Sequence, residues 1–206
     1  CNLNGEKSNQ IIHDALEKFV RKFPDELPKN AQEELLEIGR DSFKNRNSNP
    51  AVRAFWWPRF ERIAKWFIEQ ETARRERATT LGVEVEGELQ IDTGNFKFIL
   101  TAIADRIDIL DNDRLSIIDY KTGGVPTQKS VEKGFSPQMT LEALIAETGG
   151  FDEIDANDTS TLEYWKLSGG RPAGKITLVN GDIQRLQDEA LEGLYSLIST
   201  FADEKT

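Results

Sequence analysis

Residues 101–124, TAIADRIDILDNDRLSIIDYKTGG, read as two extended segments joined by a tight turn. Side chains alternate along a strand, so Leu115, Ile117, Asp119 and Lys121 share one face and Ser116, Ile118 and Tyr120 the other. A carboxylate and an ammonium two residues apart then stand roughly 7 Å apart on one face. The turn decides what lies opposite them. With Asp111-Asn112-Asp113 as a three-residue loop, Leu110 faces Arg114 and Asp105 lies across from Asp119 on the same face. A two-residue loop would bring Arg106 opposite Asp119 and turn Asp105 away. Asn and Asp tolerate the left-handed backbone such a loop needs, so the three-residue loop is the expectation.

Two carboxylates and a lysine meeting near the end of a strand pair suit a hard divalent cation held by oxygen ligands. Such an ion polarises substrate and lowers the pKa of water, while the lysine orients the water or offsets developing charge. The plainer alternative is a surface Asp119–Lys121 ion pair, which contributes little to stability. The apolar run Leu115-Ser116-Ile117-Ile118 leading into Asp119 favours burial, and a buried carboxylate needs a partner or a metal.

The words ADRIDIL (104–110), LSIIDYKTGG (115–124) and FSPQMTLEA (135–143) together resemble the PD-(D/E)XK nuclease superfamily, in its RecB/AddB-type branch, over about Ile11 to Phe151. The resemblance implies a restriction-endonuclease-like α/β fold with a mixed central sheet flanked by helices. It implies a deoxyribonuclease of exonuclease type that depends on Mg2+, with Mn2+ as the other candidate. Asp105 and Asp119 would be metal ligands and Lys121 the catalytic lysine, with the Tyr120 backbone carbonyl completing the metal shell. The glutamine word would place Gln138 beside the metal to position water or phosphate. A helix histidine in the wording IIHDALEKF makes His13 a third side-chain ligand, and an imidazole shifts preference towards Mn2+. Without the resemblance, His13 reads as a partly buried histidine bonding a carbonyl. A glutamate on the preceding strand would be Glu84, although a solvated polar face of Glu84, Glu86 and Glu88 reads equally well. The implied partners are DNA and an AddA-type helicase–nuclease subunit, in cytoplasmic double-strand break repair. A catalytically silent docking module of such a complex, or an interaction domain with a fortuitous Asp-x-Lys spacing, stays open.

The chain has 206 residues, enough for one medium domain with a sizeable core. A helical part over about 8–78 and a catalytic α/β part over about 79–206 are expected. No run of eighteen apolar residues is present, so no membrane-spanning helix is expected. The single cysteine excludes an internal disulfide and the iron–sulfur cluster that some relatives carry. Starting at Cys1 without Met and ending in Asp203-Glu204-Lys205-Thr206, the sequence reads as a fragment of a longer polypeptide, with a processed lipoprotein the lesser alternative. A net charge of −10 repels DNA, so the cations must be concentrated or other domains must hold the substrate.

Ser8 to Lys22 carries Ile11, Ile12, Ala15, Leu16, Phe19 and Val20 at helical spacing. A capping-box pattern at Asn30 opens a second helix, with Leu35, Leu36, Ile38 and Phe43 inward. Asn45 to Asn49 reads as a turn. A third helix starts at Pro50 and should break or kink near Trp57, because Pro58 follows. From Arg53 to Arg77, seven basic residues stand against four acidic ones beside Phe55, Trp56, Trp57 and Trp66. This is either a core helix with solvated arginines or a DNA track in which Arg74, Arg75 and Arg77 take phosphates. Thr79 to Asp92 alternates as a strand with Leu81, Val83, Val85, Gly87 and Leu89 on one face. A turn at Asp92 to Asn95 leads to a long strand from Phe96 to Leu110. The Thr122 to Pro126 loop is not a Walker A loop, since no Lys-Ser/Thr follows its glycines. Ser136-Pro137 should cap a helix from Gln138 to Glu147 with Leu141, Leu144 and Ile145 inward. Thr161 to Leu167 and Lys175 to Val179 read as strands whose sheet order is not legible, and Ile183 to Phe201 as a closing amphipathic helix.

Overall fold

The computed structural model describes residues 3–46, 50–92, 94 and 97–203. Three helices come first: α1 (Leu3–Lys22), α2 (Ala31–Arg46) and α3 (Pro50–Arg75). The strands β1 (Ala78–Asp92), β2 (Lys97–Leu110) and β3 (Leu115–Lys121) follow. After them come α4 (Gln128–Glu132), α5 (Gln138–Glu147), β4 (Thr159–Leu167), β5 (Gly174–Leu178) and α6 (Ile183–Asp203). The strands form one sheet in the order β1-β2-β3-β4-β5, antiparallel except for the β3–β4 pair. That parallel step needs a long crossover, which α4 and α5 supply. The architecture is α/β, a mixed sheet between two helical layers, as a restriction-endonuclease-like fold requires.

Both layers follow from the alternation in β3. Ile118 and Tyr120 join a core with Ile12, Leu16, Phe19, Phe60 and Phe67 from α1 and α3. Leu115 and Ile117 face the other way into a core with Met139, Ala143, Ile145 and Leu186 from α5 and α6. A strand buried on both faces reads as a near-continuous apolar run, which explains LSII. The two polar residues that interrupt it, Ser116 and Asp119, are both buried and both serve polar clusters described below.

The β2–β3 hairpin has the three-residue register. Arg106 pairs with Ile118 and Ile107 with Ile117. The Leu110 N–H donates to the Arg114 carbonyl at 2.9 Å, and Asp113 takes the left-handed position at φ 59°. One further step along this register sets Asp105 across from Asp119.

β1 departs from simple alternation at two points. A bulge between Thr80 and Gly82 leaves Leu81 unpaired and 44% exposed, so Leu81 does not join Val83 on the inner face. At Glu84 the backbone takes φ 48°, far from an extended conformation. The side chains change layer there: Val83 belongs to the α1/α3 core, whereas Val85 and Ala104 meet the α5/α6 core. The hairpin thus switches faces at the level of Glu84 and Asp105, and groups from both helical layers can meet at that point.

Three local expectations are corrected. α3 is not broken at Pro58. Phe60, Ile63, Ala64 and Phe67, which follow it on the same helix, are fully buried, and their packing outweighs the backbone hydrogen bond that proline removes. α5 has no side-chain cap: its N-cap residue is Pro137, and the Ser136 hydroxyl instead lies 2.9 Å from that of Ser130. Leu141 and Leu144 are only half-buried, while Glu142 is buried. The expected turns at 45–49 and 92–95 lie partly outside the described residues. Among the described residues no helix is long and apolar enough to cross a membrane.

Candidate active site

α1 buries Ile11, Ile12, Ala15, Leu16 and Phe19 completely, and this stripe fixes the half-buried His13 beside it. His13 Nδ1 stands 3.9 Å from Asp105 Oδ2, and its ring meets the Tyr120 ring edge-on at 6.3 Å between centroids. The same helix pins the strained strand opposite. Arg21 donates to the Val83 carbonyl at 2.8 Å, immediately before Glu84. A non-glycine residue held at positive φ costs on the order of 1 kcal/mol or more and persists only where its surroundings fix it. Here α1 supplies both the anchor and the imidazole that Glu84 approaches. One ligand atom each from His13, Glu84 and Asp105 lies within 4.8 Å of the others.

Asp105 is further held by the Tyr120 N–H, which donates to its Oδ2 at 2.6 Å. Across the hairpin, Asp119 Oδ1 accepts from Lys121 Nζ at 2.8 Å and from Gln138 Nε2 at 3.0 Å. Lys121 Nζ also donates to Gln138 Oε1 at 3.3 Å. Asp119, Lys121 and Gln138 therefore form a closed triangle of hydrogen bonds, with Gln138 brought in by the first turn of α5. The other Asp119 oxygen, Oδ2, is buried and makes no hydrogen bond among the described residues.

The electrostatics are those of crowded anions. Burial, then the neighbouring Asp119, pushes Asp105 up to about 6. Burial also raises Asp119, and burial together with Asp105 raises Glu84. Burial lowers His13 despite the carboxylates around it, which favours the neutral imidazole that can ligate a metal. Three carboxylates held together against their charge, one with an orphaned buried oxygen, plus a neutral imidazole make a donor set for a divalent cation of the Mg2+ or Mn2+ type. The residues fit such an ion.

Of the sequence-predicted residues, His13, Glu84, Asp105, Asp119, Lys121 and Gln138 stand together. Tyr120 contributes its N–H to Asp105, and its ring lies in the α1/α3 core. The expected DNA track at the end of α3 is corrected. Arg74 is buried and wholly engaged, donating to Asp108 at 2.5 Å, Glu163 at 2.6 Å and Ser116 at 2.7 Å. Arg75 donates to Glu71 at 2.8 Å and to the Pro24 carbonyl. Arg74 neutralises buried carboxylates of β2 and β4, and Arg75 neutralises the buried Glu71 of its own helix, so neither is available to a phosphate. Arg77 alone of the three is exposed.

Glu142 was not anticipated. It lies one helical turn after Gln138 on the same face, accepts from Gln138 Nε2 at 3.0 Å, and is 2% exposed. Burial raises its pKa to about 8. A carboxyl raised above its unfolded value stabilises the fold most below about pH 4.3 and loses that contribution as pH climbs to about 8. Glu142→Gln is therefore expected to raise stability above pH 8 by a few kcal/mol, with little change near pH 4. Denaturant titrations of both proteins across this range check it, and parallel pH profiles would refute it.

A family model described as PD-(D/E)XK nuclease superfamily matches residues 9–205. An uncharacterized protein of Rickettsia bellii is 26% identical over 209 residues, covering 95% of this chain and 25% of that protein. The uncharacterized protein RT0391 of Rickettsia typhi is 28% identical over 167 residues, covering 78% of this chain and 19% of that protein. The chain spans a quarter or less of the length of these relatives. A solved structure described as "Crystal structure of SSO0001" aligns with 86% of this chain and 83% of its own, at 14% identity and TM-score 0.32.

Proposed function

The chain belongs to the PD-(D/E)XK nuclease superfamily, and on that footing we propose that it hydrolyses DNA phosphodiester bonds with the help of a divalent cation. The observation that carries this reading is the convergence of His13, Glu84 and Asp105 within ligand distance of one another, beside Asp119 and Lys121. Asp105, Asp119, His13 and Glu84 would hold the ion, and the Tyr120 carbonyl would be the backbone ligand that the family wording implies. Mg2+ or Mn2+, when bound, polarises the phosphoryl oxygen and lowers the pKa of water. Lys121 presents its ammonium where negative charge grows on the phosphate or orients the attacking water. Gln138 bonds both the Lys121 amine and the Asp119 carboxylate, which holds the two in a fixed relation towards substrate. No covalent intermediate is needed, and no serine or cysteine has a role.

The finer reading is an exonuclease of the AddB type that works with an AddA-type helicase–nuclease subunit in cytoplasmic double-strand break repair. The word resemblance of residues 104–143 supports it. The test is cleavage of an end-labelled linear duplex and of the matching single strand. Cleavage with Mg2+ or Mn2+ that stops in excess EDTA is expected. Undiminished cleavage in EDTA would refute the mechanism, and metal binding without any cleavage would make the domain a silent docking module.

A further inference from the structure

Charge is distributed unequally on the two sides of the site. Towards the β1 edge stand Glu84, Glu86 and Glu88, with Asp152 held alongside by its N–H donating to the Glu86 carbonyl at 3.0 Å. A polyanion is repelled there. On the other side the register of the sheet aligns cations. Lys121 of β3 pairs with Lys166 of β4, and Lys166 pairs with Lys175 of β5. Paired residues on adjacent strands project from the same face, so the three amines share the face that carries Asp119. With strands spaced about 4.8 Å apart, the row runs roughly 10 Å from the catalytic lysine to the open edge of the sheet.

Like charges directly opposite one another on a sheet are unfavourable. The fold could offset them with carboxylates, as it does for Arg74 and Arg106. Among the described residues, however, Lys166 and Lys175 make no ion pair and no side-chain hydrogen bond, although the chain carries a net charge of −10. Lys166 is half-buried and Lys175 exposed, and the exposed Arg171 sits in the loop joining their strands. Unpaired cations in register with Lys121, in an otherwise acidic molecule, call for a ligand that brings negative charge at regular intervals.

We propose that Lys166 and Lys175 bind the phosphates of one DNA strand and lead it from the scissile position over β4 and β5 to the edge of the sheet. This deepens the nuclease reading and rests on it. A row of roughly 10 Å reaches the phosphates of one backbone only, so it tracks one strand and leaves the other uncontacted. It also resolves the conflict between an acidic chain and a DNA substrate: affinity is concentrated on one side of the metal ligands.

The test is fluorescence anisotropy of a fluorescein-labelled oligodeoxythymidylate with the full-length protein in EDTA, where no cleavage intervenes, across a salt series. Lys166→Ala/Lys175→Ala is expected to weaken binding about tenfold near 0.1 M salt. The plot of log affinity against log salt should become shallower by about 1.4, the loss of two single-strand phosphate contacts. The remote exposed Lys44→Ala should match the wild type. An unchanged affinity and salt slope in the double variant, or a wild type that fails to bind the oligonucleotide, would overturn the proposal. Because this readout does not pass through catalysis, a double variant that still cleaves with unchanged KM would remove the lysine row and leave the nuclease reading standing. A wild type that binds through the row but never cleaves would do the reverse.

Discussion

Lys121→Met is expected to lower DNA cleavage about 10²–10³-fold and Asp119→Asn to abolish it, each leaving the fold intact. The reasons differ. Lys121 is partly exposed, with a side chain 30% accessible, and its removal deletes the one cation held against Asp119. Single charge-stabilising groups aimed at a developing anion are worth about 10²–10³ in rate. Asp119 is buried, its pKa is raised chiefly by burial, and its Oδ2 lacks a hydrogen bond. In the metal-free protein the ionised carboxylate is therefore a burden, and Asp119→Asn should raise the melting temperature while abolishing activity. Mn2+ should reverse the order, because ligand binding to the native state stabilises it in proportion to its affinity. The wild type gains stability with Mn2+ and the variant gains far less. Thermal melts with and without Mn2+, run beside a cleavage assay, check both halves. A variant that melts lower than the wild type without metal and still responds fully to Mn2+ would show that Asp119 is structural.

The largest expected loss of stability lies behind the site. Arg106, adjacent to Asp105, is fully buried and donates to Asp108 at 2.6 Å and Glu71 at 2.6 Å. Asp108 also accepts from Arg74, which reaches Glu163, and Glu163 accepts from the Trp165 indole N–H at 2.9 Å. With Arg75 on Glu71, three arginines meet three carboxylates, and the cluster is neutral as a whole. Burial disfavours the charge on Arg106, but the Asp108 and Glu71 carboxylates paired with it outweigh burial and hold the guanidinium ionised. Removing one member leaves unpaired charge in a dry interior. Arg106→Leu is expected to cost about 3–5 kcal/mol. In a domain of this size that lowers the melting temperature on the order of 10 °C, if the variant folds at all. Arg74→Met should cost a similar amount. Denaturant unfolding measures both, and a loss below about 1 kcal/mol for each would show that the network is dispensable.

The network shows where sequence reading stops. Arg74, Arg75 and Arg77 look alike as letters in a basic segment. Arg74 finds Asp108 and Glu163 only because α3 crosses strands far along the chain. No local pattern encodes that meeting. The β2–β3 hairpin was legible because its register depends on three loop residues and the pleat, both local. His13 was legible through its helix stripe and the family wording, and Gln138 through that wording alone. Glu84 was visible as one glutamate of three on a strand, but the φ of 48° that sets it apart was not. Glu142 left a signal, the i+4 spacing from Gln138, which the apolar choice of Leu141, Leu144 and Ile145 obscured. The lysine row left none, since it exists only once β4 lies between β3 and β5. Pro58 and Ser136 mark the opposite error, in which a sound local rule yielded to its surroundings: core packing around α3 for Pro58, and the Ser130 hydroxyl for Ser136.

All of these readings converge on one ion. A crystal of the protein grown with Mn2+ and measured for anomalous scattering would locate it. The expected result is a strong manganese peak within about 2.5 Å of the donor atoms of His13, Asp105 and Asp119, with Glu84 in the same cluster. A protein that takes up no manganese there at millimolar concentration, with these side chains ordered, would contradict the account.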